Sequence, residues 1–216
     1  MAGAAADLTA RLQAWADVRD TDLGAARLRV VHERLLARMD MVAPLRWVVR
    51  GSRAIDLRLD GRARRTADLD VSMARTAASH LTALSQLLTG VCQADTGDGW
   101  RLTVIEVDRS LVKGIGVVGF KAWLAAEHDS RPFGEFAVDV STAAPLTIGP
   151  LVLSVPDMLT GAPLRITVVR PEVQIAEKVH AITRPVPAGQ PRARAQDLVD
   201  AVAMVWRSSL TWPRCG

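Results

Sequence analysis

The stretch RRTADLDVSM, residues 64–73, sets two carboxylates one residue apart inside an otherwise apolar run. Leu69, Val71 and Met73 read as a strand. Side chains alternate between the faces of a strand, so Asp68 and Asp70 share one face while Leu69 and Val71 share the other. Two like charges side by side repel, and they are costly to bury. Something must compensate them. Either the strand is a wet edge with an acidic face, or a divalent cation lies between the carboxylates, because hard cations take oxygen ligands.

Working outward, residues 45–51 (LRWVVRG) read as a short strand rich in β-branched and aromatic residues. Residues 52–61 read as a helix opened by Ser52 as N-cap and closed at Gly61. Upstream, residues 6–18 and 22–42 read as helices; in the second, Leu23, Ala26, Leu28, Val31, Leu35 and Met39 recur at helical spacing with arginines between them. Residues 74–91 form an amphipathic pattern, and residues 100–142 change to strands with turn signals at Gly114 and at 130–132. Residues 143–163 read as irregular, 164–170 as a strand, 172–183 as a helix, 184–194 as a mobile proline-bearing loop, and 193–208 as a closing helix.

At 216 residues and 49% hydrophobic, the chain supports one large domain or two small ones. The net charge of +4 is carried almost entirely by arginine, which suits a phosphate-bearing partner. No stretch approaches the roughly 20 apolar residues of a membrane span. The N-terminus lacks the apolar core of a secretion signal. Cys92 and Cys215 match no metal or redox spacing, which points to a reducing, cytoplasmic setting. The histidines are scattered, with no zinc-binding pair among them.

Two further features carry chemistry. Gly51-Ser52, at a strand–helix junction, puts backbone N–H groups and a hydroxyl at the positive end of a helix, where phosphate binds well; Ser52 is equally an everyday cap. In EFAVDVST (135–142), Phe136, Val138 and Val140 share one face, and Ala137, Asp139 and Ser141 the other. Asp139 is then a third strand-borne carboxylate, either facing solvent or joining Asp68 and Asp70 around one or two magnesium ions.

Gly51-Ser52, Asp68-Leu69-Asp70 and Asp139 together resemble the signature of the DNA polymerase β-like nucleotidyltransferase superfamily. More closely, RGSRAIDLRL and RRTADLDVSM, followed by VQIAEKVHAI and RARAQDLVDA, resemble the AbiEii family of nucleotidyltransferase toxins, including the mycobacterial MenT proteins. The matched segments span roughly residues 47 to 205. Gly-Ser-Arg stands where Gly-Gly-Thr is common, and Gln196 where a lysine is usual.

The resemblance implies an α+β fold: a nucleotidyltransferase core with a mixed or antiparallel sheet flanked by helices over residues 1–142. A mostly helical region, 143–216, then completes the active site, in one continuous domain or two. It implies catalytic roles for Asp68, Asp70, Lys178 and Asp197. It further implies nucleoside triphosphate binding by Gly51, Ser52, Thr66 and Lys178, and Mg2+ held by Asp68, Asp70 and Asp139. Spacing places Lys178 on the apolar face of its helix, where it meets a triphosphate or snorkels to Glu172 or Glu177. Asp197 either joins the site or forms a surface pair with Arg194.

Aromatic content is 4%, with no tyrosine, so stacking on exposed rings is not the main means of holding RNA. Arg62, Arg64, Arg65 and the 184–194 loop are the candidate phosphate contacts. The implied function is transfer of nucleotides from NTP to the 3′ end of tRNA by the toxin of a toxin–antitoxin pair, with an antitoxin from an adjacent gene. The rival readings are a nucleotidyltransferase acting on a protein hydroxyl or an antibiotic-like small molecule, and a non-catalytic binding partner that kept the fold.

Overall fold

The computed structural model describes residues 2–63, 66–74, 81–109, 118–143, 148–183 and 195–207. The elements are α1 (Ala2–Val18), α2 (Leu23–Val42), β1 (Trp47–Val49), α3 (Gly51–Arg58), β2 (Leu69–Ala74), α4 (Leu81–Gln93), β3 (Trp100–Asp108), β4 (Gly119–His128), β5 (Arg131–Ala143), β6 (Leu151–Pro156), β7 (Pro163–Val168), α5 (Pro171–Thr183) and α6 (Ala195–Arg207). The strands form one mixed sheet in the order β3-β4-β5-β2-β1-β7-β6. The fold is the expected α+β class.

Sequence pattern explains the centre of this sheet. In β5, Phe136, Val138 and Val140 are buried while Ala137, Asp139 and Ser141 are only half-buried. That is the alternation of a strand with one face in the core. β2 runs parallel to β5, with Asp70 opposite Asp139 and Val71 opposite Val140. β1 closes the other edge of β2 in antiparallel register and meets β7 in parallel at Val49 and Val168. β4 lies antiparallel to β5, placing Lys121 opposite Asp139.

α2 packs against β7, α1 and α4; α3 rests on β2 and α6. Asp22 caps α2 by accepting from the Ala25 N–H at 2.8 Å. The arginines of α2 are not a solvated stripe. Arg38 is fully buried and donates to Asp98 Oδ1 at 3.0 Å and to the Trp100 carbonyl at 2.7 Å, and Arg34 pairs with Asp157. Arg29 pairs with Glu33 at 2.7 Å and with Asp56 at 3.0 Å.

Several boundaries differ from the sequence reading. Residues 151–156, within a segment read as irregular, form β6, the edge strand beside β7. Pro156 is tolerated because it stands at the end of an edge strand, where a missing donor costs least. Ala74 ends β2 and does not open a helix; α4 runs from Leu81, and residues 75–80 lie outside the described set. Ser52 is not the N-cap of α3. The cap position is Arg50, whose side chain makes no capping hydrogen bond, and α3 begins at Gly51. The 184–194 loop lies outside the described residues.

Candidate active site

The junction between β1 and α3 organises the site. The Arg50 N–H donates to the Asp70 carbonyl at 2.9 Å, joining the junction to β2. Gly51 follows with φ +59°, in the left-handed region that glycine enters without cost. A Cβ at this position would overlap Asp70 Oδ2 and stand 3.0 Å from its Cγ. Glycine is therefore required twice, for its backbone angle and for the closeness of the carboxylate. The Gly51 carbonyl accepts from the buried Gln174 side chain of α5, whose Oε1 in turn accepts from Arg58 at 2.7 Å. Burial pushes the Arg58 guanidinium down to about 10, with Glu172 opposing.

Freed from capping, Ser52 turns its hydroxyl to α6 and donates to Asp200 Oδ2 at 3.0 Å. Asp200 is buried, and Lys178 Nζ lies 2.9 Å from its Oδ2 and 2.7 Å from Asp197 Oδ1. Burial pulls the Lys178 ammonium down, but the hydrogen bonds and charges of the two aspartates prevail and raise its pKa. Lys178 thus joins neither Glu172 nor Glu177. Glu177 pairs instead with Arg50. Ser52, Lys178, Asp197 and Asp200 form one connected cluster across α3, α5 and α6.

The second cluster lies on the sheet. Lys121, Asp139 and Asp70 stand side by side across β4, β5 and β2. Lys121 Nζ is 3.5 Å from Asp139 Oδ1 and 3.6 Å from Asp68 Oδ1. Asp68 itself sits just before β2 and is exposed, while Asp70 is half-buried. Burial opposes the charge of Lys121, but Asp139 and Asp68 together raise its pKa.

Thr66 meets the second cluster at the Asp68 carbonyl, to which its hydroxyl donates at 3.4 Å. Its carbonyl accepts from Arg53 at 3.2 Å, and it lines a cleft of about 300 Å3 with Trp15, Leu28, Asp56 and Gly61. Arg62 is exposed; Arg64 and Arg65 lie outside the described residues, as does Arg194.

Among the described residues, no group of three or more His, Cys, Asp or Glu side chains is drawn together as a metal cage. The residues nonetheless fit magnesium in two respects. Asp68, Asp70 and Asp139 offer the hard oxygen donors that Mg2+ takes, and Gly51 lets the Asp70 carboxylate stand against the start of α3, a place any other side chain would contest. Lys121 stands between two of the three carboxylates.

Sequence reasoning missed Lys121, Arg50 and the pairing of Asp200. For Lys121 the signal was present: a lysine alternating with Phe120 and Ala122 on an apolar strand lies on the same sheet face as Asp139 once the strands pair. Arg50 had only its position before Gly51 to mark it.

A search of the curated proteins finds no significant match. Among solved structures, the chain is similar to the crystal structure of ANT(2")-Ia in complex with adenylyl-2"-tobramycin. That likeness has 18% identity over 83% of this chain and 87% of that one, with a TM-score of 0.43. The solution structure of the antibiotic-resistance factor ANT(2'')-Ia gives 18% identity over 83% and 82%, with a TM-score of 0.42. The family model described as nucleotidyl transferase AbiEii toxin, type IV TA system, matches residues 34–208. With most of its length matched, the chain belongs to the AbiEii toxin family and is a nucleotidyltransferase.

Proposed function

We propose that this enzyme transfers nucleotides from a nucleoside triphosphate to the 3′ end of a tRNA, with magnesium held by Asp68, Asp70 and Asp139. One observation carries the reading: Asp70 and Asp139 are directly opposed on parallel strands, and the Gly51 backbone is pressed against Asp70. Acidic strand pair and helix N-terminus therefore meet at one point, the combination that a metal-bound polyphosphate needs.

The placement of each residue supports a task in this reading. Gly51 admits the triphosphate close to the backbone, and Ser52 offers its backbone N–H at the first turn of α3 while its hydroxyl holds Asp200. Lys178 supplies a compact cation, held in place by Asp197 and Asp200, to the phosphates. Magnesium, when bound, neutralises the charge that develops on the phosphate oxygens. The carboxylates align the acceptor hydroxyl; its oxygen forms a bond to the α-phosphorus as the α–β anhydride bond breaks, and pyrophosphate and the hydroxyl proton leave. Such catalysis is positioning and charge neutralisation.

The tRNA assignment rests on the net charge of +4, the arginines near residue 64 and the resemblance to the MenT proteins. Phosphate contacts carry little sequence information, so selection falls to shape and the single-stranded end. The family also implies an antitoxin, which we place in an adjacent gene.

The experiment incubates the protein with total RNA, Mg2+ and each labelled nucleoside triphosphate in turn. Label should enter a tRNA-sized band, and rising salt should suppress it steeply. Label on protein or on a small molecule, with tRNA untouched, overturns the acceptor and keeps the transferase. Absence of pyrophosphate release from every triphosphate overturns both.

A further inference from the structure

Lys121 sits in an unusual position for a strand residue beside metal carboxylates. Its strand, β4, buries Phe120, Ala122, Leu124 and Ala126 on one face, which fixes the register and leaves Lys121 on the other face with Asp139 directly opposite. The ammonium is not drawn tightly onto either partner. Its distances of 3.5 Å to Asp139 and 3.6 Å to Asp68 are nearly equal, and both exceed the 2.7–2.9 Å or so of a charge-assisted hydrogen bond. A group placed evenly between two carboxylates occupies the ground that a bridging cation would take. By contrast, Lys178 makes contacts of 2.7 and 2.9 Å with its aspartates, the geometry of a settled pair.

We propose that Lys121 is the resident counter-ion of the metal carboxylates. Its ammonium holds the place between Asp68 and Asp139 until nucleotide arrives with magnesium, and then turns to the incoming triphosphate. The inference rests on the metal reading of these aspartates given above. Its physical basis is that a divalent ion and an ammonium repel at this separation, so one must leave before the other binds. A bare ion brings nothing for the displaced ammonium to contact. A metal–triphosphate brings phosphate oxygens for it, so occupancy by metal becomes conditional on nucleotide. Idle enzyme then does not hold magnesium in an unproductive site.

The test measures Mn2+ binding directly, by the loss of the free-ion magnetic resonance signal, with and without a non-hydrolysable triphosphate analogue. Lys121→Met should bind Mn2+ alone at least tenfold more tightly than the wild type, and Lys121→Arg should stay as weak as wild type. With the analogue present, the advantage of Lys121→Met should shrink or reverse. Lys121→Gln serves as a second neutral variant should Lys121→Met not fold. A bare-metal affinity within twofold of wild type in a folded neutral variant overturns the counter-ion role. Failure of the metal reading has a different signature: Asp68→Asn and Asp139→Asn would then bind Mn2+ with analogue as well as the wild type does.

Discussion

Replacing Gly51 with alanine separates stability from catalysis in one residue. The backbone stays at φ +59°, where a Cβ costs roughly 1–2 kcal/mol. For a chain of this size that lowers the thermal midpoint by about 2–8 °C. The steric part falls on Asp70. A Cβ overlapping its Oδ2, 3.0 Å from Cγ and 3.3 Å from the Asp70 Cβ, forces the carboxylate to move by about 1 Å to regain ordinary contact. The carboxylate ends a flexible side chain, so the movement itself costs little stability. Its catalytic effect is larger, because a displacement of about 1 Å at a reacting centre is worth roughly 100-fold in rate. Thermal unfolding and pyrophosphate release from NTP should therefore diverge: a modest loss in midpoint and a loss of about two orders of magnitude in turnover. Gly90→Ala is the control; a Cβ there meets nothing within 4 Å inside α4, and the change should raise stability by about 0.5–1 kcal/mol with turnover intact. Turnover of Gly51→Ala within threefold of wild type would refute the placement of Asp70 at the reacting centre.

Other perturbations probe the remaining elements. Asp68→Asn should abolish nucleotide transfer while moving the thermal midpoint little, because Asp68 is exposed and its pair with Lys121 is long; retained transfer rates would sink its metal role. Lys178→Ala leaves Asp197 and the buried Asp200 without their cation and should destabilise by on the order of 3 kcal/mol, measured by urea unfolding. Lys178→Arg should recover much of that stability and little of the nucleotide affinity, since a planar fork does not replace a point charge; unimpaired affinity in either variant argues against a phosphate contact. His32 offers a pH test. Burial first, then the charges of Arg53 and Arg29, hold its pKa well below the usual range, so the folded protein keeps the ring neutral where the unfolded chain protonates it. Its stabilisation is full above about pH 6.5 and falls as pH drops, by up to about 1.4 kcal/mol per pH unit. His32→Leu should flatten the decline in stability between pH 6.5 and 5, and identical slopes would show that the ring does not titrate on unfolding.

The parts of this fold that were legible in the sequence are those governed by period. Phe136, Val138 and Val140 announce a strand and its buried face, and with them the side of the sheet that carries Asp139. α2 was legible from Leu28, Val31, Leu35 and Met39, but the fate of its arginines was not. Arg34 and Arg38 are buried because Asp157 and Asp98, far along the chain, fold back onto them. Ser52 shows the same limit more sharply. From local sequence it is a helix cap; its actual partner, Asp200, lies on the last described helix. Periodicity reports which way a side chain points and is silent about what comes to meet it. β6 escaped notice because it is an edge strand bounded by Pro150 and Pro156, where the pattern of a buried strand is weakest.

The order of the strands also sets a timetable for synthesis. β1 and β2 sit side by side at the middle of the sheet, yet each has its other edge filled by a strand made much later, β7 and β5 respectively. A growing chain can zip β1 to β2 early, but Asp70 has no Asp139 beside it until β5 has emerged, and Ser52 has no carboxylate until α6 follows. Pairings between distant segments form slowly and leave strand edges open meanwhile. For a member of a toxin family this delay has a consequence: a chain interrupted before β5 carries the β1–β2 unit without Asp139, and one interrupted before α6 leaves Ser52 without Asp200.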